Sequence, residues 1–401
     1  MADTNLSLKN GGHCQPLLFT HPRDPSIGHF ELANLQTIQS LISSSDIDCE
    51  FHVQTGVRGL YAQAEWAAAQ DSLATLEQTD AALAAHMRLV SDKDELRRLR
   101  IPTAVGAIVT DVAARLWPYK FVSHILEGLL TSSNLLGSFN LQTHTPVTSF
   151  KPAPAGEQGW EVVTPRGSII AKKVLLATNA YTSFLLEEYA DLIVPARGQM
   201  SALLPPPQLR GENRLRTSFG FMGGAQDDYL IQRERRERGG GSEQLLYGGG
   251  RSEGPSLYVS NDDTIDPRTA VYLRSALNTL LGAGDTKAPE LEATHEWTGI
   301  MGFSRDNSPF VGPVPARPGV FVSAGYTGHG MPNAWLCGKA VATMVSKAIS
   351  GSDQESAVAA AVQDGLPEAY IPSDRRVQRA RTAETVERQD RLTGFKAEWA
   401  E

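Results

Sequence analysis

Between residues 320 and 349 the chain passes from an unbroken apolar strand through a glycine-rich turn into an amphipathic helix, and this stretch constrains the fold more than any other. Residues 320–325 read as the strand, 326–332 as the turn and 334–349 as the helix, with Leu336, Ala340, Val341, Met344 and Val345 on one helical face. A strand apolar throughout is buried on both faces, which requires layers above and below it. Helical and strand-like patterns are interleaved along the rest of the chain too, so the expected class is α/β (α+β).

The other expected helices cover residues 31–43, where Leu32, Leu35, Ile38 and Leu41 form a stripe, then 63–83, 94–100 and 121–130, the last opened by Pro118. Strands are expected at 50–59, 139–150, 160–164 and 168–177, where Val174 to Ala177 is a continuous apolar run. Between residues 195 and 297 the texture changes to prolines, charges and glycine clusters. Strand patterns at 229–233 and 244–248 flank the charged segment 233–238 and Gly239 to Gly241, which together suggest a hairpin with a solvated tip. These patterns divide the chain into a discontinuous cofactor-type domain (1–50, 103–195 and 298–372), a sheet-rich substrate domain (51–102 and 196–297) and a polar tail (373–401).

A length of 401 residues agrees with two or three domains at about 150 residues each. Lys and Arg number 37 against 45 Asp and Glu, a net charge of −8 that disfavours nucleic acid as a partner. Cys14, Cys49 and Cys337 are far apart and form no metal-type cluster, so they read as reduced thiols and no metal is expected. Without a signal peptide or a run of about 18 apolar residues, a cytoplasmic protein with no membrane contact is expected.

The chemistry centres on the turn Gly325, Tyr326, Thr327, Gly328, His329, Gly330, Met331. Its glycines let backbone approach a ligand, and the helix behind it aims unpaired N–H groups at an anion or at a carbonyl gaining negative charge; the alternative is a tight turn without a ligand. His13 and His329 both sit in glycine-rich loops, as catalytic groups or as hydrogen-bonding shapers of their loops. Tyr247 and Arg251 end a predicted strand and either face a substrate, where the Arg would orient a carboxylate by a bidentate pair, or lie on the surface. His295-Glu296 is not followed by the second histidine of a zinc protease. The adjacent pairs Asp227-Asp228 and Asp262-Asp263 read as structural.

Taken together, Lys9-Asn10-Gly11-Gly12-His13, Leu116-Trp117-Pro118-Tyr119-Lys120, Ala177 to Thr182 with Pro195 to Met200, Trp297 to Gly302 and the turn above resemble the D-amino-acid-oxidase-like superfamily of FAD-dependent oxidoreductases, which includes glycine and sarcosine oxidases. The resemblance spans roughly residues 7–372. It implies that Asn10, Gly11, Gly12 and His13 lie against the isoalloxazine, with Lys9 where the family usually has arginine. It also implies that Val147 contacts adenine, that Thr178 and Asn179 lie near the phosphate and ribose, and that Gly325, Gly328, His329, Gly330 and Met331 hold the flavin's carbonyl end. Met301 stands near the place where some relatives attach FAD through cysteine, so non-covalent FAD is implied. The implied reaction is oxidation of a C–N bond of a small amine or amino acid, with hydride passing to flavin N5 and dioxygen reoxidising the flavin.

One departure stands against these matches. The chain contains no G-x-G-x-x-G, and too few residues precede Asn10 for the βαβ unit of about 30 residues that carries it. An N-terminally truncated, incomplete Rossmann-like domain is therefore expected, with strands near 174–177 and 320–324 left to pair differently or to expose an edge. The alternatives are a fragment of a longer oxidase, a partner chain supplying the unit, or a flavin-free pseudo-oxidase acting as a binding or non-redox component.

Overall fold

The computed structural model describes residues 9–132, 137–223, 226–234, 243–282 and 289–382. Along the first part of the chain lie β1 (His13–Cys14), α1 (Pro25–Ser44), β2 (His52–Leu60), α2 (Gln63–Thr79), α3 (Ala81–Ala84), β3 (Met87–Val90), α4 (Lys93–Arg98), β4 (Gly106–Arg115) and α5 (Pro118–Thr131). They are followed by β5 (Ser149–Pro152), β6 (Trp160–Thr164), β7 (Gly167–Ala171), β8 (Val174–Leu176), α6 (Thr182–Leu185), β9 (Ile193–Leu203), β10 (Ser218–Gly223), β11 (Gln226–Gln232) and β12 (Leu245–Gly249). The last part holds α7 (Pro267–Leu280), β13 (Ala293–Ser304), β14 (Phe310–Pro313), β15 (Val320–Ala324), α8 (Ala334–Ile349), α9 (Gln354–Gln363) and α10 (Asp374–Thr382).

The largest sheet runs β1-β4-β2-β10-β11-β12-β9-β13, with β3 beside β4 on the same side as β1. Its pairs are antiparallel except β2 with β10. The expected hairpin is present, with Tyr229 opposite Gly248; residues 235–242 of its tip lie outside the described residues. Helix α7 packs Leu273 and Leu277 against Phe219, Phe221, Leu230, Leu245 and Tyr247, forming the core of this half. A second sheet places β15 between β14 and β8, parallel to β8 with Val320 opposite Val174. Helix α8 lays Cys337, Val341 and Met344 against Val311 and Phe321. The sheet β5-β6-β7 joins a core with Leu176, Val320 and Val322, and there the Trp160 indole donates to Pro318 O at 3.0 Å. The fold is thus α/β, as the sequence pattern implies.

Several elements differ from expectation for identifiable reasons. Helix α1 begins six residues early at Pro25, since proline pre-sets the first-turn φ and loses no hydrogen bond there. The expected helix over 63–83 breaks at Asp80, whose carboxylate accepts from Leu83 N at 3.0 Å and starts α3. The expected strand 139–150 exists only from Ser149; Phe139 and Leu141 lie half-exposed in irregular chain without a ladder partner. Leu175, expected to be buried in a two-faced strand, is 41% exposed while Leu176 is buried with Val320 and Val322, because successive side chains point to opposite faces and only the Leu176 face of β8 is fully covered. The start of the expected polar tail is instead the docked helix α10. Arg376, 4% exposed, pairs with Asp306 at 2.9 Å and donates to Pro309 O and Ser308 O; residues 383–401 lie outside the described residues.

Candidate functional site

The opening loop is held before it meets anything else. Asn10 Oδ1 accepts from Gly12 N at 2.6 Å, the Trp297 indole donates to Lys9 O at 2.6 Å, and the Lys9 ammonium pairs with Asp262 at 2.8 Å. Gly12 has φ +81°, and a Cβ there would lie 2.1 Å from Leu116 O, whose own amide donates back to Gly12 O. Only glycine fits. Gly12→Ala should cost about 1–3 kcal/mol, read as a lowered denaturant midpoint with unchanged slope. Gly11 faces Met200 and Tyr229, which a Cβ would strike at 2.6 and 2.8 Å, so the chain's own side chains already use that glycine's space.

His13 stacks on Tyr229 with centroids 5.5 Å apart and bonds Gln15 at 2.9 Å. Burial pushes its pKa down to about 4, so it is neutral at pH 7. Its unfolded pKa is near 6.5, and between 6.5 and about 4 the unfolded chain binds more protons than the folded one. Stability should therefore rise with pH through that window, and His13→Gln should flatten the slope in denaturation curves taken from pH 4 to 7.

The final turn is clamped from both sides. Asn179, at φ +44°, accepts from Gly325 N at 3.0 Å and Tyr326 N at 3.3 Å, while Thr327 N donates to Gly302 O at 2.7 Å. Thr178 is occupied with Thr182 at 2.9 Å. From α1, Glu31 takes His329 Nε2 at 2.9 Å, Asn333 Nδ2 at 3.1 Å and Leu17 N at 2.8 Å, although it is only 2% exposed. Burial alone would raise the Glu31 carboxyl; the charge and hydrogen bond of His329, with Leu17 N and Asn333, outweigh it and hold the group below its ordinary pKa. One turn on, Asn34 donates to Met331 O at 3.1 Å and accepts from Leu336 N at 2.9 Å. Tyr370 completes the network by donating to Asn333 Oδ1 at 2.8 Å. Among the described residues the amides of Gly330 and Met331 donate to no protein acceptor, and both residues are half-buried at the entrance of α8.

The structure thus gathers His13, His329, Met331 and the opening loop around one centre: His13 feels the charge of His329, and Met331 packs in one cluster with Cys14, Leu116 and Trp335. Arg251 approaches from another side, its guanidinium 4.5 Å over the Phe303 ring. That ring lies 3.7 Å from where a Cβ on Gly328 would be. Arg251 Nη1 is buried and has no hydrogen-bond partner, at a cleft of about 10 Å³ lined also by Arg197, Gln199 and Ser256. Tyr247 is neither substrate-facing nor on the surface: it is fully buried in the core under α7 and donates to Asp228, and burial holds its phenol well above the usual range. Val147 lies in irregular chain before β5, half-buried rather than in a strand. Among the described residues no cluster of three or more His, Cys, Asp or Glu could hold a metal, and no helix is long and apolar enough to cross a membrane.

Glu31 and Asn34 escaped sequence reading. Their signal was a polar pair on the buried stripe of Ile27, Ile38 and Ile42, at spacings of four, three, four and four.

An FAD would find two different ends. The isoalloxazine end fits: a clamped glycine turn offers two unengaged amides at a helix N-terminus, beside a neutral imidazole and an unpaired guanidinium. The diphosphate end finds no cradle among the described residues. The sequence has no G-x-G-x-x-G, and α1, the first described helix, opens behind Asp24, whose carboxylate would repel a diphosphate.

A strand, glycine turn and helix set against a broad antiparallel sheet define an α/β oxidoreductase architecture of the flavin-binding type. The chain belongs to the FAD dependent oxidoreductase (DAO) family, whose model matches residues 5–344. It is 27% identical over 225 residues to a probable oxidoreductase, OrdL, of Rhizobium meliloti (strain 1021), covering 55% of this chain and 45% of that protein. It is 28% identical over 210 residues to a bifunctional tRNA 5-methylaminomethyl-2-thiouridine biosynthesis protein of Thiobacillus denitrificans, covering 51% of this chain and 30% of that one. The matches thus span less than half the length of either curated relative. In fold it is similar to glycine oxidase from Geobacillus kaustophilus, with a TM-score of 0.66, 17% identity and coverage of 86% of this chain and 85% of that one. It is also similar to iminodiacetate oxidase from Chelativorans sp. BNC1, with a TM-score of 0.64, 16% identity and coverage of 92% and 90%.

Proposed function

We propose that this chain is an FAD-dependent oxidase acting on a C–N bond of a small amine or amino acid. The observation that carries this reading is the final turn, whose Gly330 and Met331 amides are left without protein acceptors while Gly325 and Tyr326 are held by Asn179, His329 by Glu31 and the Met331 carbonyl by Asn34. When bound, a flavin supplies the redox step, accepting the substrate hydride at N5 and passing its electrons to dioxygen. The chain's own residues do the rest. Arg251, poised on Phe303 with a buried unpaired nitrogen, orients a substrate carboxylate. His13, neutral at pH 7, keeps a second positive charge away from an amine. Glu31 fixes the His329 ring so that Nε2 faces the carboxylate.

The lack of a diphosphate cradle among the described residues favours a second reading, a flavin-free member of the family that binds a small carboxylate without redox chemistry. Titration with FAD, followed by flavin fluorescence, separates the two. Saturable uptake and peroxide release with a panel of small amines and amino acids supports the oxidase. A colourless protein that takes up no FAD, yet binds carboxylates through Arg251, replaces it with the second reading.

A further inference from the structure

The end of the second sheet remote from the final turn holds a cavity unrelated to the site above. It has a volume of about 190 Å³ and lies between the start of β15, the end of α8 and the first turns of α9, lined by Phe321, Met344, Ala348, Ala357 and Val358. Its backbone is preformed: Pro313 ends β14, Pro318 fixes the chain ahead of β15, and Gly319 sits at φ +81° between Pro318 and that strand. A cavity of this kind exceeds the roughly 150 Å³ that accommodates benzene in an apolar protein interior.

One charge stands at the mouth. Lys173 crosses the rim so that a Cβ on Gly319 would be 3.4 Å from its Cδ and 3.7 Å from its Nζ. Among the described residues its ammonium makes no hydrogen bond or ion pair. At the α9 entrance Asp353 is engaged: it caps the helix by accepting from Ser356 N at 2.8 Å and Ser356 Oγ at 2.7 Å. A partly open, mainly apolar pocket whose lining carries one unpaired cation beside the uncharged Ser352 and Gln354 matches an apolar body with a single negative head.

We propose that this cavity is a binding site for a short-chain monocarboxylate, its hydrocarbon body among Met344, Ala348 and Val358 and its carboxylate on Lys173. It lies at the opposite end of β15 from Gly325, a strand of five residues or about 16 Å, so its occupancy is separate from flavin uptake.

Hexanoate is the probe, with hexan-1-ol and acetate as comparators, titrated into the full chain by calorimetry and by thermal unfolding. Hexanoate should bind with a Kd of about 1 mM, and acetate at least tenfold more weakly. Lys173→Met should weaken hexanoate at least tenfold while leaving hexan-1-ol unchanged, Lys173→Arg should retain hexanoate, and Val358→Trp should abolish both ligands without altering the cooperativity of unfolding. Equal affinity for hexanoate in wild type and Lys173→Met, or no binding by wild type at 10 times that concentration, overturns the proposal. Neither result bears on FAD titration of the same protein.

Discussion

Glu31→Ala should lower folding stability by about 2–6 kcal/mol, the cost of leaving two buried donors without the acceptor they share. The carboxylate is 2% exposed and accepts from three groups on three separate segments: His329 in the final turn, Asn333 at the entrance of α8, and Leu17 N ahead of α1. Alanine leaves the Leu17 amide and one Asn333 donor without an acceptor in a space water enters poorly, and each such loss costs about 1–3 kcal/mol. Glu31→Gln should lose less, since its carbonyl still accepts on one side while its NH₂ opposes a donor on the other. The pH dependence has a definite sign. The folded pKa lies below the unfolded one, so this stabilisation is present in full above the unfolded carboxyl pKa, near 4.5, and is lost as pH falls through the folded value. Urea denaturation at pH 7 and at pH 3 should show wild type and Glu31→Ala far apart at the first and closer at the second. An equal gap at both would mean that packing, not charge, is what Glu31 contributes.

That network also shows what the sequence could reveal and what it could not. The strand, turn and helix at 320–349 were legible nearly to the residue, because apolar run, glycines and helical stripe are all local signals. The hairpin of β11 and β12 was legible for the same reason. By contrast β4, Gly106–Arg115, went unread: it is buried along most of its length between β2 on one side and β1 and β3 on the other, so it has no clean alternation. Glu31 meets His329 across 298 positions, and nothing in a single sequence links them. Residues 139–148 failed in the opposite direction. Phe139 and Leu141 alternate like a strand, yet a strand exists only where a ladder partner does. At the site, loop glycines identified the turn, while the partners that shape it, Glu31, Asn34 and Asn179, are polar residues whose role depends on distant chain.

Asp228→Ala should cost a similar amount, about 3–5 kcal/mol, since three buried donors lose their acceptor, and in addition should loosen the segment that carries Arg251. Asp228 is 3% exposed in the middle of the large sheet and accepts from Tyr247 at 2.6 Å, Tyr272 at 2.5 Å and Gly250 N at 2.8 Å. The two phenols hold α7 against β12, and the third bond fixes the turn after β12, where Gly249 and Gly250 have φ of +145° and +66°. That turn admits nothing larger than glycine, for a Cβ on Gly249 would stand 1.9 Å from Asp228 Oδ1. Removing the carboxylate leaves two buried hydroxyls and an amide without their acceptor, and it releases the backbone from which Arg251 reaches Phe303. Asp228→Asn keeps one acceptor and the side-chain volume, so it should fold with about half the loss of Asp228→Ala. This milder variant separates support from substrate contact. If Arg251 takes a substrate carboxylate, Asp228→Asn and Arg251→Met should both raise KM for amino acids more than for amines lacking a carboxylate, with Asp228→Asn alone lowering the unfolding midpoint. A uniform change across both substrate classes would place Arg251 outside the binding of the carboxylate and leave Asp228 with its structural role only.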